Sequence, residues 1–146
     1  MVHGANIILS TMDLSILSQH NVSLMTLDEK YRDLWIQIIS RKISNQARAL
    51  SIMGLDNAEN VAMYVSNINA ENVDAMEALA AKEYFENYHE GLNRRVEDPV
   101  NSRLNYGYAV VRSSIARSLV AVGFHPTFGI HHDSQLNAFN LADDLI

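Results

Sequence analysis

The stretch from Asp28 to Gly54 constrains the fold most. Tyr31, Leu34, Trp35, Ile38, Ile39, Ile43, Leu50 and Met53 recur along it at helical spacing. The pattern predicts one long helix over 28–53, ended by Gly54. Its apolar face needs a partner, and the apolar positions Val111, Ile115 and Leu119 of a later helix are the expected one. Trp35, Ile38, Ile39 and Ile43 are therefore expected to be buried.

The same reasoning predicts helices over 58–66, 72–88 and 101–122, the last ending at Gly123. Loop signals gather at Glu97, Asp98 and Pro99. Pro126 and Gly129 break the chain again and put His131 and His132 in a loop. A final helical segment is expected from about 137. Ahead of the long helix, residues 6–9 and 22–27 read as short strands and 13–19 as a helix capped by Ser10 or Thr11. The fold class implied is mainly α: a helical bundle over 28–146 with a small N-terminal αβ portion over 1–27.

Composition excludes several classes. At 146 residues, the chain is long enough to bury a core. It has no cysteine, which removes disulfide frameworks and thiolate zinc sites and fits a cytoplasmic setting. No apolar run approaches a membrane span, and Met1 to Gly4 lacks signal-peptide anatomy. The net charge of −6 argues against nucleic acid for the chain taken whole. The charge is unevenly spread, however. Residues 56–79 carry five acids (Asp56, Glu59, Glu71, Asp74, Glu77) and no Lys or Arg. The helix over 101–122 carries Arg103, Arg112 and Arg117 and no acid. These three arginines are the candidates for DNA backbone contacts, against the plainer reading of a solvated mixed surface.

Glu77, the pair His131 and His132, and the pair Asp143 and Asp144 are the candidate chemistry. Imidazole and carboxylate oxygens suit a hard divalent ion, Mg²⁺ or Mn²⁺. Such an ion activates a hydroxyl and neutralises phosphate charge, which points to phosphodiester chemistry. Adjacent histidines in an extended loop face opposite ways, so at most one is a ligand. Each candidate also has a duller reading: a surface glutamate, solvated loop histidines, acids favoured in the first turn of a helix. Tyr106 and Tyr108 read either as a DNA or dimer contact or as aromatic core. No Ser-His-Asp order, phosphate loop or dinucleotide fingerprint is present.

In combination these segments resemble a known family. Asp98-Pro99-Val100-Asn101-Ser102-Arg103-Leu104-Asn105-Tyr106-Gly107-Tyr108 is similar to a helix start of the CRISPR-associated adaptation integrase, the metal-dependent endonuclease subunit that inserts spacers. Gly123-Phe124-His125-Pro126-Thr127-Phe128-Gly129-Ile130-His131-His132 resembles its histidine loop. Asn137-Ala138-Phe139-Asn140-Leu141-Ala142-Asp143-Asp144-Leu145 resembles its closing acidic motif, in the form found with a single large effector nuclease. Glu77-Ala78, Ala80-Ala81-Lys82 and Tyr84-Phe85 resemble its glutamate helix. Val2-His3-Gly4-Ala5-Asn6-Ile7 resembles the end of its β-rich dimerisation domain.

The resemblance implies a DNA integrase that joins 3′ ends of a captured fragment to a repeat by transesterification, working as a dimer with a small partner subunit. It implies Glu77, His132 (the fourth place of Gly-x-x-His) and Asp144 as catalytic residues holding Mg²⁺ or Mn²⁺. It also implies a shortened form. The β-rich domain is reduced to about residues 1–27, a segment is deleted after Lys30, and the second acid of the closing pair is expected one residue past Ile146. The alternative expectation is an inactive remnant, at most a helical scaffold for DNA or protein.

Overall fold

The computed structural model describes residues 24–89 and 92–146, with side chains described from residue 29 onward. The chain is mainly α-helical, as the periodicities predict, and no strand occurs among the described residues. Five helices follow in order: α1 Leu24–Ile52, α2 Ala58–Ser66, α3 Val73–Tyr88, α4 Pro99–Ala121 and α5 Asn140–Asp144. The segments expected over 6–9 and 13–19 lie outside the described residues. The strand expected over 22–27 is corrected where it is described: from Leu24 the backbone is already helical. Among the described residues, no helix is long and apolar enough to cross a membrane.

The chain forms two compact units, Ile36–Tyr106 and the combination of Met1–Trp35 with Gly107–Ile146. Within the first unit, α1 buries Ile39, Ile43, Ala47 and Leu50, one stripe at three- and four-residue spacing. Val61 of α2, Val73 and Ala80 of α3, and Leu92 complete that core. Burying each large aliphatic side chain is worth roughly 1.5–3 kcal/mol. Helices α2 and α3 are also tied by polar contacts. Tyr64 donates to Glu83 at 2.9 Å, and Asn57 donates to Asn87 at 2.8 Å.

Helix α4 begins two residues before its predicted start. Asp98 is the reason: its carboxylate accepts the Val100 N–H at 2.6 Å, and Pro99 takes the first helical position, where a missing N–H costs nothing. The buried Asn101 pins the preceding turn. Its amide donates to the carbonyls of Asn93 and Val96, both at 2.7 Å, and its oxygen accepts from Arg94 at 2.7 Å.

In the second unit α4 ends at Ala121, two residues before Gly123, whose φ of +91° lets the chain turn left-handed. Gly123 N–H then reaches the Val120 carbonyl, and Phe124 N–H reaches that of Leu119 at 2.9 Å, a closed helix C-terminus. Trp35, Ala116, Leu141 and Ala142 are buried in this unit. Burial of Trp35 agrees with the sequence. Ile38, also expected to be buried, is half-buried; of the residues expected opposite, Val111 is 48% exposed while Ile115 and Leu119 are half-buried, and the His131 ring stacks on the indole. Tyr106 and Tyr108 are both exposed, which removes the aromatic-core reading.

Candidate metal centre

The histidine loop is built around one buried carboxylate. Asp144 is 1% exposed, at the end of α5. Its Oδ2 accepts the backbone N–H groups of Ile130 and His131. Its Oδ1 accepts the N–H of His132 at 3.1 Å and meets His132 Nδ1 at 2.6 Å. One carboxylate thus satisfies three successive amides and fixes an imidazole. A buried charge needs that many partners to be tolerated.

The approach is possible because residue 129 is glycine. A Cβ there would stand 2.2 Å from the His132 carbonyl oxygen and 2.8 Å from Asp144 Oδ2. From the other side, Asn140 donates to the carbonyls of Thr127 and Ser134, and Leu141 N–H donates to that of Pro126 at 2.8 Å. Helix α5 and the loop are therefore laced together along residues 126–134. Trp35 meets both rings of the loop. The His131 ring stacks on it at 4.3 Å, nearly parallel, and the His132 ring meets it edge-on at 6.2 Å.

This arrangement decides what His132 offers. With Nδ1 engaged by Asp144, the ring presents Nε2, and the side chain is 49% exposed. A carboxylate behind an imidazole fixes its tautomer and ring orientation, the usual support of a metal-ligating histidine. His131 carries its ring on Trp35 instead.

The other expected residues are placed as follows. Glu77 lies on α3 in the Ile36–Tyr106 unit, with its Oε1 2.6 Å from Nζ of Lys42 on α1. Asp143 takes a different direction from Asp144. It forms an ion pair with Arg112 at 2.8 Å and accepts from Asn137 at 2.7 Å. Arg112 also donates to Asn137 and lies over the Phe139 ring at 4.6 Å. Arg103 and Arg117 are exposed on α4. The structure therefore joins His132 with Asp144 and Arg112 with Asp143. Among the described residues, no group of three or more His, Asp and Glu side chains is gathered for one ion.

Sequence reasoning missed Lys42, Gly129 and Trp35 as parts of these constellations. Lys42 interrupts an apolar stripe beside Ile43, which marks a cation at the rim of a buried face. In the sequence Gly129 reads as a chain breaker and as the first place of Gly-x-x-His, but not as the close approach that admits the Asp144 carboxylate.

Comparison with known proteins bears directly on these residues. A sequence model of the family described as CRISPR associated protein Cas1 matches residues 5–146. A CRISPR-associated endonuclease Cas1 of Neisseria meningitidis serogroup C (strain 8013) is 33% identical over 165 residues, covering 91% of this chain and 54% of that protein. A CRISPR-associated endonuclease Cas1 1 of Francisella tularensis subsp. novicida (strain U112) is 25% identical over 142 residues, covering 82% and 45%. The chain thus spans about half the length of these relatives. The 165 aligned positions also exceed its 146 residues, so the Neisseria protein contains residues that this chain lacks. With nearly its whole length matched, the chain belongs to the CRISPR associated protein Cas1 family.

Proposed function

We propose that the chain is a metal-dependent DNA endonuclease and integrase of CRISPR adaptation, joining the 3′ ends of a captured DNA fragment to a repeat by transesterification. One observation carries the reading: the imidazole of His132 is held through Nδ1 by the buried Asp144 on a side chain that is half exposed, which leaves Nε2 as the ring nitrogen not engaged by that carboxylate. An imidazole nitrogen backed by a carboxylate is a fitting donor for a divalent ion, and Glu77 supplies the anionic oxygen that Mg²⁺ or Mn²⁺ prefers. The bound ion would polarise the phosphate and stabilise the leaving oxygen.

The residues of the chain do the rest. His132 presents Nε2 and keeps its other ring nitrogen on Asp144. Asp144 acts as a positioning residue, because both its oxygens are occupied within the loop. Arg103 and Arg117, exposed on a helix without acids, contact backbone phosphates. Arg112 is held by Asp143 and orders α5 rather than DNA. A small partner subunit and a second copy of the chain belong to this reading as partners.

Mn²⁺ titration followed by electron paramagnetic resonance, combined with cleavage of a branched DNA substrate, tests it. Glu77→Gln and His132→Ala are each expected to weaken Mn²⁺ binding at least about tenfold and to abolish cleavage. A second reading, a helical scaffold without catalysis, is favoured by the engagement of Glu77 with Lys42. Unchanged DNA binding in both variants, with no cleavage by the parent chain, would select it.

A further inference from the structure

We infer that Trp35 is a positioning residue for His132: its buried indole, directly and through the stacked ring of His131, sets the plane of the His132 imidazole and with it the direction of Nε2. This role rests on the reading of His132 as the functional imidazole, and it needs nothing from the helix of Glu77.

The contact with Asp144 leaves the ring plane open. It holds one corner of the imidazole, Nδ1, at 2.6 Å from Oδ1. The outer torsion of a histidine side chain is broad, without sharp staggered wells. A ring that is 49% exposed and held at one corner can tilt, and Nε2 moves with it. A functional group has to be held to about 10–20° to be useful, so a second restraint is needed.

The aromatic rings supply that restraint. His132 meets the indole of Trp35 at 6.2 Å and 89°, and the ring of His131 at 5.7 Å and 89°. His131 lies flat on the indole, 4.3 Å away and 3° from parallel. Two parallel planes and a third perpendicular to both make one frame. Perpendicular contacts at such distances are favourable because a ring carries positive charge on its edge and negative charge on its face. Tilting His132 loses both contacts at once.

Trp35 is the fixed member of the frame. It is 5% exposed on α1, whereas both histidines are exposed on a loop. The loop backbone has its own fastening, since the N–H groups of Ile130, His131 and His132 all bond to Asp144. Closing the loop therefore falls to Asp144, and aiming the ring falls to Trp35.

The experiment uses the full 146-residue chain with isotope-labelled histidine rings. Nuclear magnetic resonance measures the order parameter of the His132 ring C–H bonds in the parent, Trp35→Leu, Trp35→Phe and His131→Ala. Circular dichroism establishes that each variant is folded, and the amide shifts of residues 130–132 report whether the loop stays closed on Asp144. In Trp35→Leu the ring order parameter is expected to fall below about 0.6, the level of flexible groups, while those amide shifts hold. Trp35→Phe keeps an aromatic face and should restore most of the order. His131→Ala removes one of the two perpendicular contacts and should give an intermediate value. In cleavage of branched DNA, Trp35→Leu should lower kcat about 10-fold and leave KM unchanged.

A His132 ring as ordered in Trp35→Leu as in the parent overturns the positioning role. So does a loop that opens in Trp35→Leu, because Trp35 would then be structural support only. Should Trp35→Leu fail to fold, the parent decides: the absence of through-space signals between the indole and the His132 ring protons also overturns the role. If the parent does not cleave DNA, the endonuclease reading fails, and the ring measurements still decide whether Trp35 aims His132.

Discussion

Asp144 spends both oxygens inside the protein: three backbone amides and one imidazole converge on it at the end of a five-residue helix. Replacing it with asparagine keeps the shape but turns one oxygen into a donor facing donors. Asp144→Asn should cost about 1–3 kcal/mol, the penalty of leaving buried amides unpaired. Urea unfolding would measure it, and nitrogen shifts of the His132 ring would reveal a changed tautomer. A variant as stable as the parent with an unchanged ring would refute the positioning role. Gly129 is the counterpart on the loop. Gly129→Ala pushes a Cβ against backbone oxygen, so the loop must open. A loss of about 2–3 kcal/mol is expected, with weakened Mn²⁺ binding. Retained affinity would mean that the loop relaxes without moving His132.

Helix α1 earns its stability from one stripe, and the fully buried Ile43 is at its centre. Ile43→Ala should destabilise the chain by about 2–5 kcal/mol, through lost burial and the cavity left behind. A drop in melting temperature checks this, and a shift near zero would place Ile43 outside the core. At the start of α4 the effect is smaller and local. Asp98→Ala removes one capping bond and should cost about 1 kcal/mol. Hydrogen exchange should rise at Val100 and Ser102 while the end of the helix stays protected. Uniform exchange along α4 would argue against a local cap. The loop contacts of α5 have no such periodic origin. Five residues cannot hold a helix alone in water, so the bonds of Asn140 and Leu141 to residues 126–134 keep it formed.

At the scale of the whole molecule the question is whether Glu77 and His132 serve one ion. They belong to different units, so the test is thermodynamic. If both ligate the same ion, the double variant Glu77→Gln with His132→Ala should bind Mn²⁺ scarcely more weakly than either single variant. Two separate weak sites would give losses that add. The single tryptophan supplies a second signal, because Trp35 carries the His131 ring next to His132. Paramagnetic Mn²⁺ should quench its emission in the parent but not in His132→Ala. Equal quenching in both would place the ion elsewhere.

The helices were legible in the sequence because apolar spacing, end glycines and breakers act locally. Gly54 and Gly123 stop helices at the predicted places, and 58–66 is helical as read. The family, too, was legible, because its motifs are short runs of side chains in a fixed order. The helical start at Leu24 was not: Val-Ser-Leu-Met-Thr-Leu alternates like a strand, and local pattern alone does not separate a strand from a first helical turn in so short a run. Nor were the partners of the charges. Nothing in the sequence distinguishes Asp143, bound to Arg112, from Asp144, bound to the histidine loop, since neighbours on a helix point about 100° apart and only packing selects the direction. The meeting of Lys42 with Glu77 across 35 positions is of the same kind. Local chemistry chose the elements; long-range packing chose which charge faces which.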